Sequence, residues 1–293
     1  MTAPLDVTLA NPRADRVKQV RALSGRPARL RHQQFLVEGP QGVREAVRYA
    51  ADAVRDVYLT EAAADRYAEI VEAAAAAGVR VHLGTREVLE AMSPDAQGVL
   101  AVVRSDSVTL GEALDALRDP DGGRRGALLV AVLATVRDPG NAGTVIRAAD
   151  AAGADLVVLA GESVDVHNPK VVRSTAGSLF HVPVVTGVPL AEVVDAVHAE
   201  GLTVLAADGS GEHDLDELLD VAGPAHRAER APGTPDLAAS TAWVFGNEAW
   251  GLPAADRALA DAVVRVPIRG RAESLNLATA ATVCLYASGR AQR

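Results

Sequence analysis

The sequence predicts two α/β domains in tandem, the second built on a doubly wound parallel sheet. Short apolar runs recur along the chain, separated by helical patterns that commonly end on glycine. Before residue 103 these units are short and closely spaced, and from Gly126 onward they are longer and more regular. Between them, 104–125 (RSDSVTLGEALDALRDPDGGRR) holds a short helical pattern and then Asp-Pro-Asp-Gly-Gly, a composition suited to a linker. The expected boundaries are 1–103, 104–125 and 126–293.

In the first domain QFLVEG (34–39) reads as a strand, followed by a helix through Arg48. VRDVYLT (54–60) is a second strand, and the helix over 61–77 behind it meets a suitable stop at Gly78. VRVHL (79–83) and QGVLAVV (97–103) are further strands. In the second domain GALLVAVL (126–133) is a continuous apolar strand of the kind buried on both faces of a parallel sheet. A helix over 141–152 ends at Gly153 and leads into DLVVLA (155–160). The unit repeats as HVPVV (181–185), a helix over 190–199 closed by Gly201, and LTVLA (202–206). Residues 221–240 have no period and three prolines, so they read as a surface loop. TAWVF (241–245) and AVVRVPI (262–268) precede a last helix over 277–287.

Composition bounds the function. The 293 residues are 49% apolar with one cysteine, Cys284, which excludes an intrachain disulfide and fits a reducing, cytoplasmic setting. No signal-peptide core opens the chain, and no apolar run approaches the ~20 residues needed to cross a bilayer. The seven histidines never fall at ligand spacing, so no metal is expected. G-x-S-x-G, a Walker A loop and G-x-G-x-x-G are all absent, which removes the commonest hydrolase, nucleotidase and dinucleotide readings.

A net charge of −9 and 3% aromatics, averaged over the chain, argue against nucleic acid. The distribution argues the other way. Residues 11–48 carry nine bases against three acids, whereas 207–261 carry three bases against eleven acids. A basic stretch is most often a solvated helix face, yet on an acidic protein it is also an electrostatic footprint for phosphate. The bases in question begin with Arg13, Arg16, Lys18, Arg21, Arg26, Arg29 and Arg31.

Three polar clusters lie just past the carboxyl ends of expected strands, the edge where open α/β sheets bind ligands. In ATVRDPGNAGTVIRAAD (134–150), Asn141 sits where an N-cap would satisfy the first helical N–H groups. Arg147 lies off the apolar positions Val145, Ile146 and Ala149, so it is either a surface residue paired with Asp150 or a functional cation. In VFGNEAWGL (244–252), Gly246 ends a strand and permits close backbone approach, with Glu248 beside Trp250 in the loop that follows. In VPIRGRAESLNLATAA (266–281), Ser274 and Asn276 flank Leu275 before an apolar helix, which either serves as a helix cap or supplies a hydroxyl and an amide to a site.

In this order and spacing the clusters resemble the three motifs of the SpoU (TrmH-like) branch of the SPOUT methyltransferases. N-x-G-x-x-x-R is present as Asn141, Gly143 and Arg147; G-x-E-x-x-G as Gly246, Glu248 and Gly251; and the Pro-containing strand with S-L-N as Pro267, Ser274, Leu275 and Asn276. HNPKVVRSTAGSLFHVPVV (167–185) resembles the family's segment between motifs, and QFLVEGPQGVREAV (34–47) resembles the substrate-binding domain often placed ahead of it, a fold related to a ribosomal RNA-binding protein. The resemblance implies a deep C-terminal trefoil knot, a homodimer, S-adenosylmethionine as cofactor, and methylation of a ribose 2′-hydroxyl, with 23S ribosomal RNA ahead of tRNA as substrate. It implies catalytic roles for Arg147, Asn141, Glu248, Ser274 and Asn276. Cofactor contacts are implied at Gly246, Val266, Ile268 and Leu275, with Leu205 and Ala206 as additions. A non-catalytic RNA-binding or ribosome-assembly protein on the same fold, and a small-molecule α/β enzyme, remain as rivals.

Overall fold

The computed structural model describes residues 7–118, 126–226 and 230–293. The chain forms two compact units, one holding the residues up to Asp106 with Asp165–His181, the other Ser107–Val164 with Val182–Arg293. In chain order the elements are β1 (Val7–Leu9), α1 (Asp15–Ala22), α2 (Arg26–His32), β2 (Gln34–Glu38), α3 (Pro40–Tyr49), β3 (Val54–Leu59), α4 (Glu61–Arg66), α5 (Ala68–Ala76), β4 (Arg80–Gly84), α6 (Arg86–Met92) and β5 (Val99–Arg104). Then follow α7 (Leu110–Asp115), β6 (Leu129–Ala134), α8 (Pro139–Ala152), β7 (Leu156–Ala160), α9 (Pro169–Ser174), β8 (Val184–Thr186), α10 (Leu190–Ala199) and β9 (Thr203–Ala207). The chain closes with β10 (His213–Asp214), α11 (Leu215–Asp220), β11 (Thr241–Phe245), α12 (Ala254–Arg257), β12 (Ala262–Arg265) and α13 (Leu277–Ala291).

The first unit is a mixed sheet in the order β1-β4-β3-β5-β2, with β2 and β3 antiparallel to β5. The two-residue period of a strand divides its core into two layers. Phe35 and Val37 of β2 join Val43, Ala46 and Val47 of α3 and Ile70 and Ala74 of α5. Leu36, between them, joins Val17 and Val20 of α1 and Val88, Leu89 and Met92 of α6. The single helix expected over 61–77 is broken at Tyr67, which leaves helical geometry at φ −120° and ψ 48°. The Arg66 and Arg44 guanidiniums lie over the Tyr67 ring at 5.3 and 6.0 Å. Pattern reading assigned nothing to β1, α1, α2 or α6, which are only three to eight residues long.

Segment 165–181 packs with the first unit, although it was expected inside the second domain, and three contacts hold it there. Arg29 is buried and donates to the Leu23 and Ser24 carbonyls at 3.1 and 2.7 Å and to Asp165 Oδ2 at 2.7 Å. Asp165 Oδ1 accepts from the His167 N–H at 2.9 Å, and the His167 ring stacks on Phe35 at 4.3 Å. Arg173 pairs with the buried Glu38 and, at 3.1 Å, with Asp95. Arg29 therefore differs from the sequence expectation. Its donors are spent inside the unit, not displayed to phosphate.

The same contacts make the unit acid-sensitive. Burial alone would push the Asp165 carboxyl up, but the Arg29 guanidinium, helped by the His167 N–H and ring, outweighs it and holds the carboxyl below its usual range. Burial pushes the His167 imidazole down. Each time the folded chain binds fewer protons than the unfolded one, so stability rises with pH. The His167 contribution is eroded as pH falls below about 6.5, and the Asp165 contribution below about 4. Asp165→Asn is expected to lower stability at pH 7 by about 3 kcal/mol. It should also flatten the acid limb of melting temperature against pH; superimposable limbs for variant and wild type would exclude this role.

The second unit is a parallel seven-stranded sheet in the order β10-β12-β9-β11-β6-β7-β8. All residues of β6, β7 and β11 are buried, as continuous apolar strands covered on both faces require. The expected linker 104–125 holds α7, where Thr109 and Glu112 form a reciprocal cap and Leu110, Ala113 and Leu114 enter the second unit's core. Residues 119–125 of that stretch, and 227–229 of the expected loop, lie outside the described residues. Strand β12 stops at Arg265, so 266–268, expected as strand, begin the loop before α13. Among the described residues no helix is long and apolar enough to cross a membrane.

Candidate functional site

Because β6 and β11 are parallel neighbours, the loops that leave them emerge from the same edge of the sheet. The loop after β6 leads into α8, whose N-cap is Asp138, not Asn141: Asp138 Oδ1 accepts the Asn141 backbone N–H at 2.7 Å. That frees the Asn141 side chain. Its Nδ2 donates to Glu248 Oε1 at 3.4 Å, and its Oδ1 accepts from Asn276 Nδ2 at 3.0 Å. Asn276 is the N-cap of α13, with Oδ1 accepting from the Ala278 and Thr279 N–H groups at 2.9 and 3.3 Å. Glu248 also accepts the Asp138 N–H at 3.1 Å and the Arg137 N–H at 3.3 Å. One hydrogen-bonded chain, Glu248–Asn141–Asn276, thus ties the first cluster to two others that lie 107 and 135 residues further along the sequence.

The loop after β11 is a pinned turn. Asn247 and Gly251 exchange backbone hydrogen bonds at 3.0 and 2.9 Å, and Gly251 adopts φ +67°. A Cβ on Gly246 would lie 2.3 Å from the Gly251 carbonyl carbon. The close approach expected at Gly246 is therefore made by the chain's own backbone. Asn247, which sequence reading passed over, is buried; its Nδ2 donates to the Thr135 carbonyl at 2.7 Å and its Oδ1 accepts from Ala249 N–H at 2.9 Å. The only sequence signal for it was a polar residue between Gly246 and Glu248.

The remaining expected residues separate by environment. Arg147 is exposed on α8 with no ion pair or hydrogen bond to its side chain among the described residues, so the pairing with Asp150 is absent. The Ser274 hydroxyl is likewise exposed and unbonded among the described residues. Ile268 and Leu275 are 40% and 37% exposed in an otherwise polar loop, and Val266 is half-buried at its start. Leu205 and Ala206 are fully buried within β9, paired on both sides with β11 and β12, short of the strand end. Of the basic set, Arg13, Arg21, Arg26 and Arg31 are exposed without ion pairs among the described residues. Lys18 pairs with Asp15 at 3.1 Å, and Arg16 is turned onto Asp56 and Tyr58, each at 3.0 Å.

Residues 128–286 match the SpoU rRNA Methylase family, and 36–108 match the RNA 2′-O ribose methyltransferase substrate binding family. The 23S rRNA (guanosine-2′-O-)-methyltransferase RlmB of Bordetella pertussis is 30% identical over 260 residues, covering 87% of this chain and 96% of that one. A 23S rRNA (uridine(2479)-2′-O)-methyltransferase of Streptomyces viridochromogenes is 40% identical over 154 residues, 52% of this chain and 49% of the relative. Among solved structures, the SpoU methyltransferase AviRb of S. viridochromogenes in complex with AdoMet has a TM-score of 0.75 at 30% identity, covering 94% of this chain and 98% of that one. By sequence and by architecture, the chain belongs to the SpoU rRNA Methylase family.

Proposed function

We propose that the chain methylates a ribose 2′-hydroxyl of 23S ribosomal RNA, acting in the cytoplasm as a homodimer whose second unit carries a deep trefoil knot. The chemistry is S-adenosylmethionine-dependent RNA 2′-O-ribose methylation. The observation that carries the reading is the Glu248–Asn141–Asn276 chain, which draws all three motifs to one sheet edge. S-adenosylmethionine supplies a methyl group already activated on a sulfonium. The loops past β11 and β12 suit it, because Ile268, Leu275 and Val266 offer apolar surface at an edge where Gly246 keeps the backbone close. Leu205 and Ala206 have no surface to offer and drop out of this set.

What the chain must then do is hold the ribose hydroxyl in line and take its proton. A guanidinium keeps its proton near neutrality and is a poor base, so the role of Arg147 is to clamp the phosphate beside the target and orient the hydroxyl. Arg147 is exposed and without a partner among the described residues of one chain, which fits a residue that completes the site of a second copy. Three donors already occupy Glu248, which makes it the anchor of the motif-one loop. The Ser274 hydroxyl, unbonded among the described residues, is the group we assign to relay the proton.

RNA approaches through the first unit, where Arg13, Arg21, Arg26 and Arg31 are displayed. Replacing all four with glutamine is expected to weaken RNA binding and to flatten its salt dependence by up to about 3 in the log–log slope, at ~0.7 per phosphate contact. Cofactor affinity should not change, and RNA affinity untouched by the substitutions would reduce the patch to a solvated face. The target is tested by mapping 2′-O-methylation across total RNA from cells with and without the protein. A site lost from 23S RNA supports the reading, and a site lost only from tRNA overturns it.

A further inference from the structure

The chain has two tryptophans, and they are placed in opposite ways. Trp243 is fully buried in β11 and donates its indole N–H to Ser288 Oγ at 2.9 Å. Trp250 is 54% exposed, and its indole N–H makes no hydrogen bond among the described residues. A large aromatic ring left in water does nothing for folding, and in a chain with so few aromatics its exposure is informative.

Its setting fixes it firmly. Trp250 sits inside the Asn247–Gly251 turn, whose paired backbone bonds and buried Asn247 side chain hold residues 248–250 in one arrangement. Arg137 serves both sides of that turn. Its backbone N–H reaches Glu248 Oε2 at 3.3 Å, while its guanidinium lies over the Trp250 ring, 5.6 Å from the centroid. Glu162, 3.8 Å from the Arg137 guanidinium, is its other neighbour and is itself exposed. An open ring backed by a cation is thus held two residues from the carboxylate that anchors the site.

We propose that the exposed face of Trp250 is the stacking platform for a nucleobase of the substrate RNA, at or next to the target nucleotide, with Arg137 backing the ring and facing the neighbouring phosphate. Stacking is indifferent to hydrogen-bond pattern, so Trp250 holds the nucleotide in place without reading its identity. This rests on the reading that the chain methylates RNA.

The test uses Trp250 as its own reporter, in wild-type protein and in Trp243→Phe. Emission is followed during titration with a single-stranded RNA hexamer, and with the same hexamer made abasic throughout. Quenching by the first and much weaker quenching by the second is expected. Trp250→Leu should raise KM for RNA roughly 5- to 150-fold, the range for one lost base–aromatic stack, with cofactor affinity as in wild type. Trp250→Phe should recover most of the loss. Equal quenching by both hexamers, an unchanged KM in Trp250→Leu, or emission that follows protein concentration instead of RNA (a ring covered by a second copy) would each overturn the proposal. Wild-type methyl transfer, measured in parallel, separates this failure from failure of the methylation reading, which would show as no transfer at all.

Discussion

Arg147→Ala is expected to lower kcat roughly 10²- to 10³-fold, the range seen when one preorganised donor is removed from a reaction centre. The fold should be indifferent. Arg147 is exposed and unpartnered among the described residues, so the melting transition should stay within about 0.5 kcal/mol of wild type. Arg147→Lys keeps the charge and loses the two-pronged fork, so it should recover only a small part of the rate. Nearly wild-type turnover in the lysine variant would remove the clamp. Mixing the inactive Arg147→Ala and Glu248→Ala chains tests the arginine's route. If Arg147 serves its partner's site, half of the dimers are mixed and each has one complete site, giving about a quarter of the wild-type rate. If it serves its own chain, the mixture stays inactive.

Gly246→Ala carries the second large expected effect, on stability and activity together. The added methyl would meet the Gly251 carbonyl carbon at 2.3 Å and the Leu252 nitrogen at 2.5 Å. Both are backbone atoms of a closed turn, so relief requires opening the Asn247–Gly251 pair. The cost should lie at the upper end of the ~1–3 kcal/mol range for overpacking. The same shift carries Glu248 away from the Arg137 and Asp138 N–H groups, so methyl transfer should fall with it. Gly270→Ala is the control, since a Cβ there meets nothing within 4 Å. An alanine at 246 that melts like wild type would mean the turn is not closed as described.

Most of the second unit was legible because its strands are covered on both faces and read as unbroken apolar runs. The β11 reading, 241–245, coincides with the strand observed. The first unit was harder. Its helices α1, α2 and α6 bury only one to three side chains each, which leaves little periodicity to read. At the site, pattern and spacing located Asn141, Glu248 and Asn276 but could not say that they touch. That depends on β6 and β11 being neighbours, and strand order is not written in any local stretch. Asn141 was expected to cap its helix, and Asp138, three residues earlier, does so. Burial of Arg29 was hidden for the same reason, because its partner Asp165 is 136 residues away.

The 2′-oxygen as methyl acceptor is tested most directly by following the methyl group itself. The protein is incubated with 23S ribosomal RNA and S-adenosylmethionine labelled in the methyl group, and the RNA is then hydrolysed completely in alkali. A 2′-O-methyl group blocks attack on the adjacent phosphate, so label is expected in an alkali-resistant dinucleotide. Label recovered in a mononucleotide, as methylation on a base would give, or no label in the RNA, would contradict ribose methylation by this chain.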